Sequence, residues 1–293
     1  MKRLSLLFVA FFITQFVVFG QYLNEIPTKS NTLLWKIEGN KLKKPSYLFG
    51  TIHLIDKDLY YFPEHFKQLV LNAEQVVLEL PEINPMEAMA HLVLKEGTVF
   101  DYFKPQQRDS LLTWASKELG MDTNQFIISF SKMKPFSLVQ IASQKDLEGK
   151  IESYDMNIQA LAKANNIPVL GLETIADQMA IFDGMDTLTM QEMVMEYVRD
   201  PKGQMESLNE MFQLYLNQNV DEMHEFTTKS EGYMMNYSKQ LLDDRNMNWI
   251  PKIEKLIKKK KTLIAVGAGH LGGQNGVLRL LEKQGYTLSP VEF

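Results

Sequence analysis

No cysteine occurs among the 293 residues. Its absence excludes disulfides, a thiol nucleophile, thiolate metal sites and a lipidated amino-terminal cysteine. Stability must come from a core, and a hydrophobic content of 45% is enough to build one. Basic excess is missing too: the formal net charge is −5, which argues against nucleic acid as a partner. The one basic cluster, Lys258 to Lys261, ends a helical pattern and reads as a solvated helix end. The sequence has no Gly-x-Ser-x-Gly elbow and no His-Glu-x-x-His, so neither a serine hydrolase nor the ordinary zincin layout has local support. Domain linkers, low-complexity tracts and fixed-period repeats are absent as well.

Long apolar runs are confined to the start. Lys2-Arg3 precede an apolar stretch from Leu4 to Phe19, interrupted only by Ser5, Thr14 and Gln15. A spanning helix needs ~20 such residues. Gly20 ends the run with Val18 two positions earlier, so residues 1–20 read as a signal peptide cleaved before Gln21. Losing Lys2 and Arg3 with it takes the charge from −5 to −7. The expectation is one domain over residues 21–293, exported to the periplasm or the medium, with no membrane span after cleavage.

Two periods alternate in the rest. Strand-like runs are Leu33–Ile37, Tyr47–Phe49, Gln75–Leu80, Pro168–Leu172, Thr262–Val266 and Tyr286–Val291. Most are short and nearly continuously apolar, as strands covered on both faces are. Helical patterns cover Pro63–Ala73, Pro105–Leu119 and Asp155–Asn166. The pattern predicts an α/β fold with a largely parallel central sheet flanked by helices. Residues 174–260 show almost no strand signal and read as a helical cap inserted between the late strands. Eleven of the 17 methionines fall between Met179 and Met247, where they serve as gap-filling core or as an adaptable lining for apolar ligands.

The chemistry concentrates at strand ends. Gly50-Thr51-Ile52-His53 and Gly267-Ala268-Gly269-His270 each follow an apolar run. A glycine lets the chain leave a strand by a geometry that larger residues resist. Each histidine then sits at the carboxyl end of the sheet, where open α/β folds build their sites. Glu79 and Glu173 close two further strands. If these strands are parallel neighbours, two imidazoles and two carboxylates converge, a donor set that suits zinc, manganese, cobalt or ferrous iron. A carboxylate could instead act as general base or orient a histidine. Structural roles compete with each of these: a strand-end histidine also serves as a cap, and Glu173 also suits a helix amino terminus. Arg245 reads first as a salt-bridging residue and second as an oxyanion or carboxylate clamp. His65, His91 and His224 lack ligand spacing, and Asp155 reads as a helix cap.

Gly267-x-Gly269-x-x-Gly272 before a helical run also fits the dinucleotide fingerprint. An exported protein meets little nicotinamide cofactor, so this match ranks low. Gly272-Gly273 remain candidates to cradle an anion at a helix start.

These residues carry a resemblance. Tyr47–His53, Val77–Leu80, Asp155 with its helix, Pro168–Thr174, Arg245-Asn246 and Val266–Leu271 occur in an order and spacing that resemble the TraB/GumN family, which includes the Tiki proteins. The resemblance spans Leu33 to Val291. It implies a metal-dependent protease activity carried by paired Gly-x-x-His motifs and an acidic residue. By position, His53, His270 and Glu79 would hold a divalent ion (manganese, cobalt or zinc), with Glu173 and Arg245 in support. The resulting expectation is an exported metal-dependent hydrolase, most specifically a peptidase, acting on a peptide or protein substrate. The alternative is an exported binding protein that sequesters a peptide or a haem-like ligand without turnover.

Overall fold

Each of the six strand-like runs singled out above contributes a strand to one sheet. In the computed structural model, which describes residues 31–81, 85–145, 150–229 and 236–293, the strands are β1 (Leu34–Gly39), β2 (Ser46–Thr51), β3 (Ile55–Asp56), β4 (Gln75–Leu78), β5 (Ile151–Glu152), β6 (Val169–Gly171), β7 (Thr262–Gly267) and β8 (Tyr286–Val291). The expected leader, residues 1–20, lies outside the described residues.

Six strands form the main sheet in the order β6-β4-β7-β2-β1-β8, while β3 and β5 pair separately. Pairing is parallel from β6 through β4 and β7 to β2. β1 is antiparallel to both β2 and β8. The parallel members β4 and β7 are apolar throughout and almost wholly buried, as strands sandwiched on both faces must be.

Twelve α-helices are present among the described residues: α1 (Glu64–Leu71), α2 (Pro85–Leu92), α3 (Pro105–Glu118), α4 (Thr123–Phe130), α5 (Pro135–Lys145), α6 (Tyr154–Ala164), α7 (Ile175–Asp183), α8 (Thr187–Arg199), α9 (Pro201–Leu216), α10 (Val220–Lys229), α11 (Asp244–Ile257) and α12 (Val277–Lys283). A π-helical turn, Lys239–Asp243, leads into α11. Helices α2, α4 and α5 were not legible in the sequence pattern. They are short, and α4 leaves Ile127 and Ile128 exposed, which blurs the apolar stripe by which helices are read.

The helices between β6 and β7 do not pack as one unit. Phe212, Tyr215, Trp249, Ile250 and Ile253, from α9 and α11, join the sheet core. Val194 and Met195 of α8 belong to a second cluster with Val99, Leu111, Trp114 and Phe126, residues from before β5. Two separate stretches of sequence therefore build the helical satellite. The gap-filling role of methionine holds for Met179, Met185, Met190, Met193, Met195 and Met223, all buried.

Asp186 fastens this region. It caps α8 by accepting from Thr189 N at 3.0 Å and Thr189 Oγ1 at 2.7 Å, and Tyr237 donates to it at 2.9 Å. The Thr189 side-chain and backbone hydrogen bonds, with the Tyr237 hydroxyl, hold its carboxyl down at about 2. A depressed folded-state value stabilises above the unfolded value of about 3.9 and loses that contribution as pH falls towards 2. Asp186→Asn is therefore expected to lower the urea midpoint at pH 7, with the gap to wild type closing between about pH 4 and pH 2. A gap independent of pH would show that the charge plays no part.

Candidate functional site

The strand order brings the four strand-end residues together. His53 follows β2, Glu79 follows β4, Glu173 follows β6 and His270 follows β7, four strands that are consecutive and parallel. All four therefore stand at the carboxyl edge, as expected of an open α/β sheet.

The glycines act differently from the sequence expectation. Neither Gly50 nor Gly267 takes a positive φ. A Cβ on Gly50 would meet Ala268 Cα and Cβ and Leu271 Cδ2, each at 3.2 Å. The two motif turns are thus packed against each other, and the glycine permits that approach. A Cβ on Gly267 would stand 3.3 Å from Glu79 Oε1, 3.5 Å from His270 Cδ2 and 4.0 Å from His53 Nε2. Gly267 is the empty centre around which the site groups gather.

Arg245, at the start of α11, dominates the buried half. Its Nη2 donates to Glu79 Oε2 and to Glu173 Oε1, both at 2.6 Å. Nε donates to Glu173 at 3.2 Å. Nη1 donates to Leu241 O at 2.9 Å and to His270 Nε2 at 3.0 Å. All five guanidinium N–H donors are thereby committed, and Trp249 covers the cation at 4.8 Å. Arg245 is a salt-bridging residue here, with no donor left for the oxyanion role weighed above. Burial opposes its charge, yet Glu79 and Glu173 raise its pKa further.

This contact also sets the state of His270. A guanidinium only donates, so Nε2 must be the acceptor, which leaves the proton on Nδ1. Nδ1 donates to Asn246 Oδ1 at 2.7 Å, and Asn246 Nδ2 donates in turn to Asn275 O at 2.9 Å. Burial, with Arg245 beside it, pushes the His270 imidazole down to about 3, against the pull of Glu79. His270 is neutral.

Burial works against the Glu79 carboxylate, but the groups around it lower its pKa below the ordinary value. With His270 neutral, that depression rests on His53, Arg245 and the Gly267 N–H, which donates to Oε1 at 2.7 Å. Gln178 adds a donor at 3.3 Å. Glu173 accepts from Trp249 Nε1 at 3.1 Å besides Arg245.

His53 is the open member, its side chain 69% exposed. Its Nδ1 lies 3.2 Å from Asp155 Oδ2, and Thr51 Oγ1 donates to the other oxygen at 3.2 Å. An ionised carboxylate only accepts, so Nδ1 carries a proton and Nε2 points to the space around Gly267. Crowding by the recess opposes the imidazolium, but the Asp155 hydrogen bond and the charges of Glu79 and Asp155 raise the pKa above its ordinary value. Water at the open edge screens these charges.

Asp155 was misread from the sequence. Ser153 caps α6, accepting from Met156 N, and Asp155 turns to His53 instead. Asn246 was likewise passed over. Both stood in the sequence blocks that carried the resemblance, beside a strand end and beside Arg245, and that adjacency was the available signal.

His53, Glu79 and Asp155 line a cavity of about 550 Å³ with Leu54, Met156 and Gln159. Gln140 and Gln178 border it too. The glycine-rich turn after β7 is packed against the chain itself: Gly273 N donates to Asp221 Oδ1 at 3.0 Å, and a Cβ on Gly272 would strike Val220 O at 2.2 Å. The amino end of α10 already fills that turn.

The donor set bears on the divalent ion implied by the resemblance. His53 Nε2 and Glu79 Oε1 border one space, but His270 Nε2 accepts from Arg245, whose charge already sits between both glutamates. Among the described residues, no three His, Asp or Glu side chains are grouped to hold a metal ion. As placed, His53, His270 and Glu79 do not fit a shared metal.

The fold and site define an α/β protein whose two Gly-x-x-His turns meet two strand-end glutamates at one edge of a parallel sheet. Residues 33–290 match the model of the TraB/PrgY/gumN family, and the chain belongs to that family. No curated protein and no solved structure matches it significantly. Among the described residues, no helix is long and apolar enough to cross a membrane.

Proposed function

We propose that the protein is a hydrolase, most specifically a peptidase, that activates water at His53. The observation that carries this reading is the His53–Asp155 pair, open to a cavity on the side of Nε2. When neutral, His53 keeps its proton on Nδ1 against Asp155, and Nε2 accepts the proton of a water attacking a carbonyl carbon. The imidazolium so formed is stabilised by Asp155 and by ionised Glu79, and it returns the proton to the leaving amine. Glu79 keeps its charge because Arg245 and Gly267 hold it. The side-chain amide of Gln159 lines the same cavity and supplies neutral N–H groups to substrate oxygens. The buried half, Arg245 with Glu173 and Asn246–His270, is the rigid wall against which these groups are fixed. Export of the mature chain, and a cap formed by helices of residues 174–260 over the cavity, belong to the same proposal.

The test is mass spectrometry of a peptide library incubated with the protein, with chelator and separately with manganese, cobalt or zinc. New peptide ends that persist in chelator are expected. Cleavage seen only with added metal would overturn the arrangement proposed here, and no cleavage under any condition would overturn the hydrolase itself.

A further inference from the structure

A second cavity lies between α2, α5, α7 and α8 and holds about 800 Å³. Its size is that of a ligand pocket. One side of the wall is carbon and sulfur, from Phe182, Met185 and Met190 with Leu94 and Ala180, while Tyr102 and Thr187 bring hydroxyls. Met185 and Met190 are buried among Phe136, Val139 and Phe182, and Phe182 stacks on Phe136 at 3.7 Å. Methionine and a stacked phenylalanine present an apolar surface that adapts to a flexible chain.

The rim has the opposite character. His91, Lys95 and Lys134 border the cavity, and Asp183 is the one carboxylate among its lining residues. Asp183 is already paired with Lys134 at 2.5 Å, so the rim carries a net positive charge on a chain whose total is −5. His91 and Lys95 have no hydrogen-bond or ionic partner among the described residues. Two helices also begin here, α5 at Pro135 and α8 near Thr187. Their amino ends add positive potential; Asp186 caps the second of them, and Lys95 is left exposed at the rim.

We propose that this cavity binds a straight-chain aliphatic carboxylate, with its chain on Phe182, Met185 and Met190 and its head at Lys95 and His91. A fatty acid and the free carboxyl end of an apolar peptide share that head chemistry. Buried Met185 and Met190 on the wall favour the former, whose chain carries no amide groups that need partners. The site is separate from the His53 cavity and stands whether or not the hydrolase reading does.

Calorimetric titration of the full chain with dodecanoate, dodecanol and dodecyltrimethylammonium tests it. Saturable one-to-one binding of dodecanoate is expected, with much weaker binding of the other two. Lys95→Glu with His91→Glu should weaken dodecanoate about tenfold or more while changing dodecanol little, as expected for loss of charge-assisted contacts. Ala180→Trp, an exposed position on α7, should block the cavity and abolish binding without touching the core. Equal binding of all three amphiphiles, unchanged binding in Ala180→Trp, no saturation, or preference for an apolar tripeptide over dodecanoate would each overturn the proposal.

Discussion

Arg245→Met is expected to destabilise the protein by about 3–5 kcal/mol, the cost of leaving buried charges without their partner. Glu79 and Glu173 have side chains only 5% and 7% exposed, and each is paired with a guanidinium that is itself 14% exposed. Methionine matches the length of arginine, so the loss is electrostatic more than steric. Against a typical total of 5–15 kcal/mol, this is enough to unfold a marginal chain. The measurement is urea unfolding of Arg245→Met beside the triple variant Arg245→Met, Glu79→Gln, Glu173→Gln. Removing all three charges should recover much of the loss, because a whole ion cluster often exchanges neutrally for uncharged groups. A single variant as stable as wild type would mean that the glutamates do not depend on Arg245. A triple variant no better than the single one would place the cost in packing against Trp249.

His53→Ala should behave oppositely, leaving stability nearly unchanged and lowering kcat/KM by roughly 10²–10⁴-fold, the range of a lost general base. The exposed ring explains the first half and its Nε2 the second. Asp155→Asn refines the test. Removing the Asp155 charge lowers the His53 pKa, so the acid-side limb, where His53 must lose its proton to work, shifts to lower pH. In stability the sign is reversed: the raised His53 value gives a contribution that is complete below the unfolded value of about 6.5 and is lost as pH rises from there through the folded-state value, so Asp155→Asn loses most in acid. An unshifted limb in Asp155→Asn, or full activity in His53→Ala, would remove His53 from the reaction.

Much of the fold was legible because its strands are buried on both faces. Runs such as Thr262–Gly267 and Gln75–Leu78 admit almost nothing polar, so their composition announces them. The site was legible for the same reason. A glutamate or histidine that ends such a run has no structural need to be there, and all four that did so meet in space. What escaped were the residues whose roles depend on partners distant in sequence. Asp155 looks like a cap until His53, 102 positions away, is placed beside it. Arg245 looks free to bind substrate until two glutamates and a histidine are found on its five donors. The glycines were assigned to backbone freedom, whereas their use is lack of volume, visible only once Ala268 and Glu79 stand next to them. The helical region resisted reading because its satellite draws on two stretches, before β5 and after β6, that no local pattern connects.

The position of β7 has a consequence for timing. It lies in the middle of the sheet, between β4 and β2, yet its residues, Thr262–Gly267, come after nearly all the others are made. A growing chain holds β2 and β4 apart with nothing to join them until that segment arrives, and it carries one Gly-x-x-His turn without its counterpart. Folding rates fall as contacts become more distant in sequence, and β2 with β7 spans 216 positions, from Tyr47 to Leu263. A nascent chain of this protein must therefore wait with two apolar strand edges open, and a fragment ending before residue 262 would keep them open permanently. Such edges are templates for aggregation, so a chain stopped short of β7 is open to pairing with other chains.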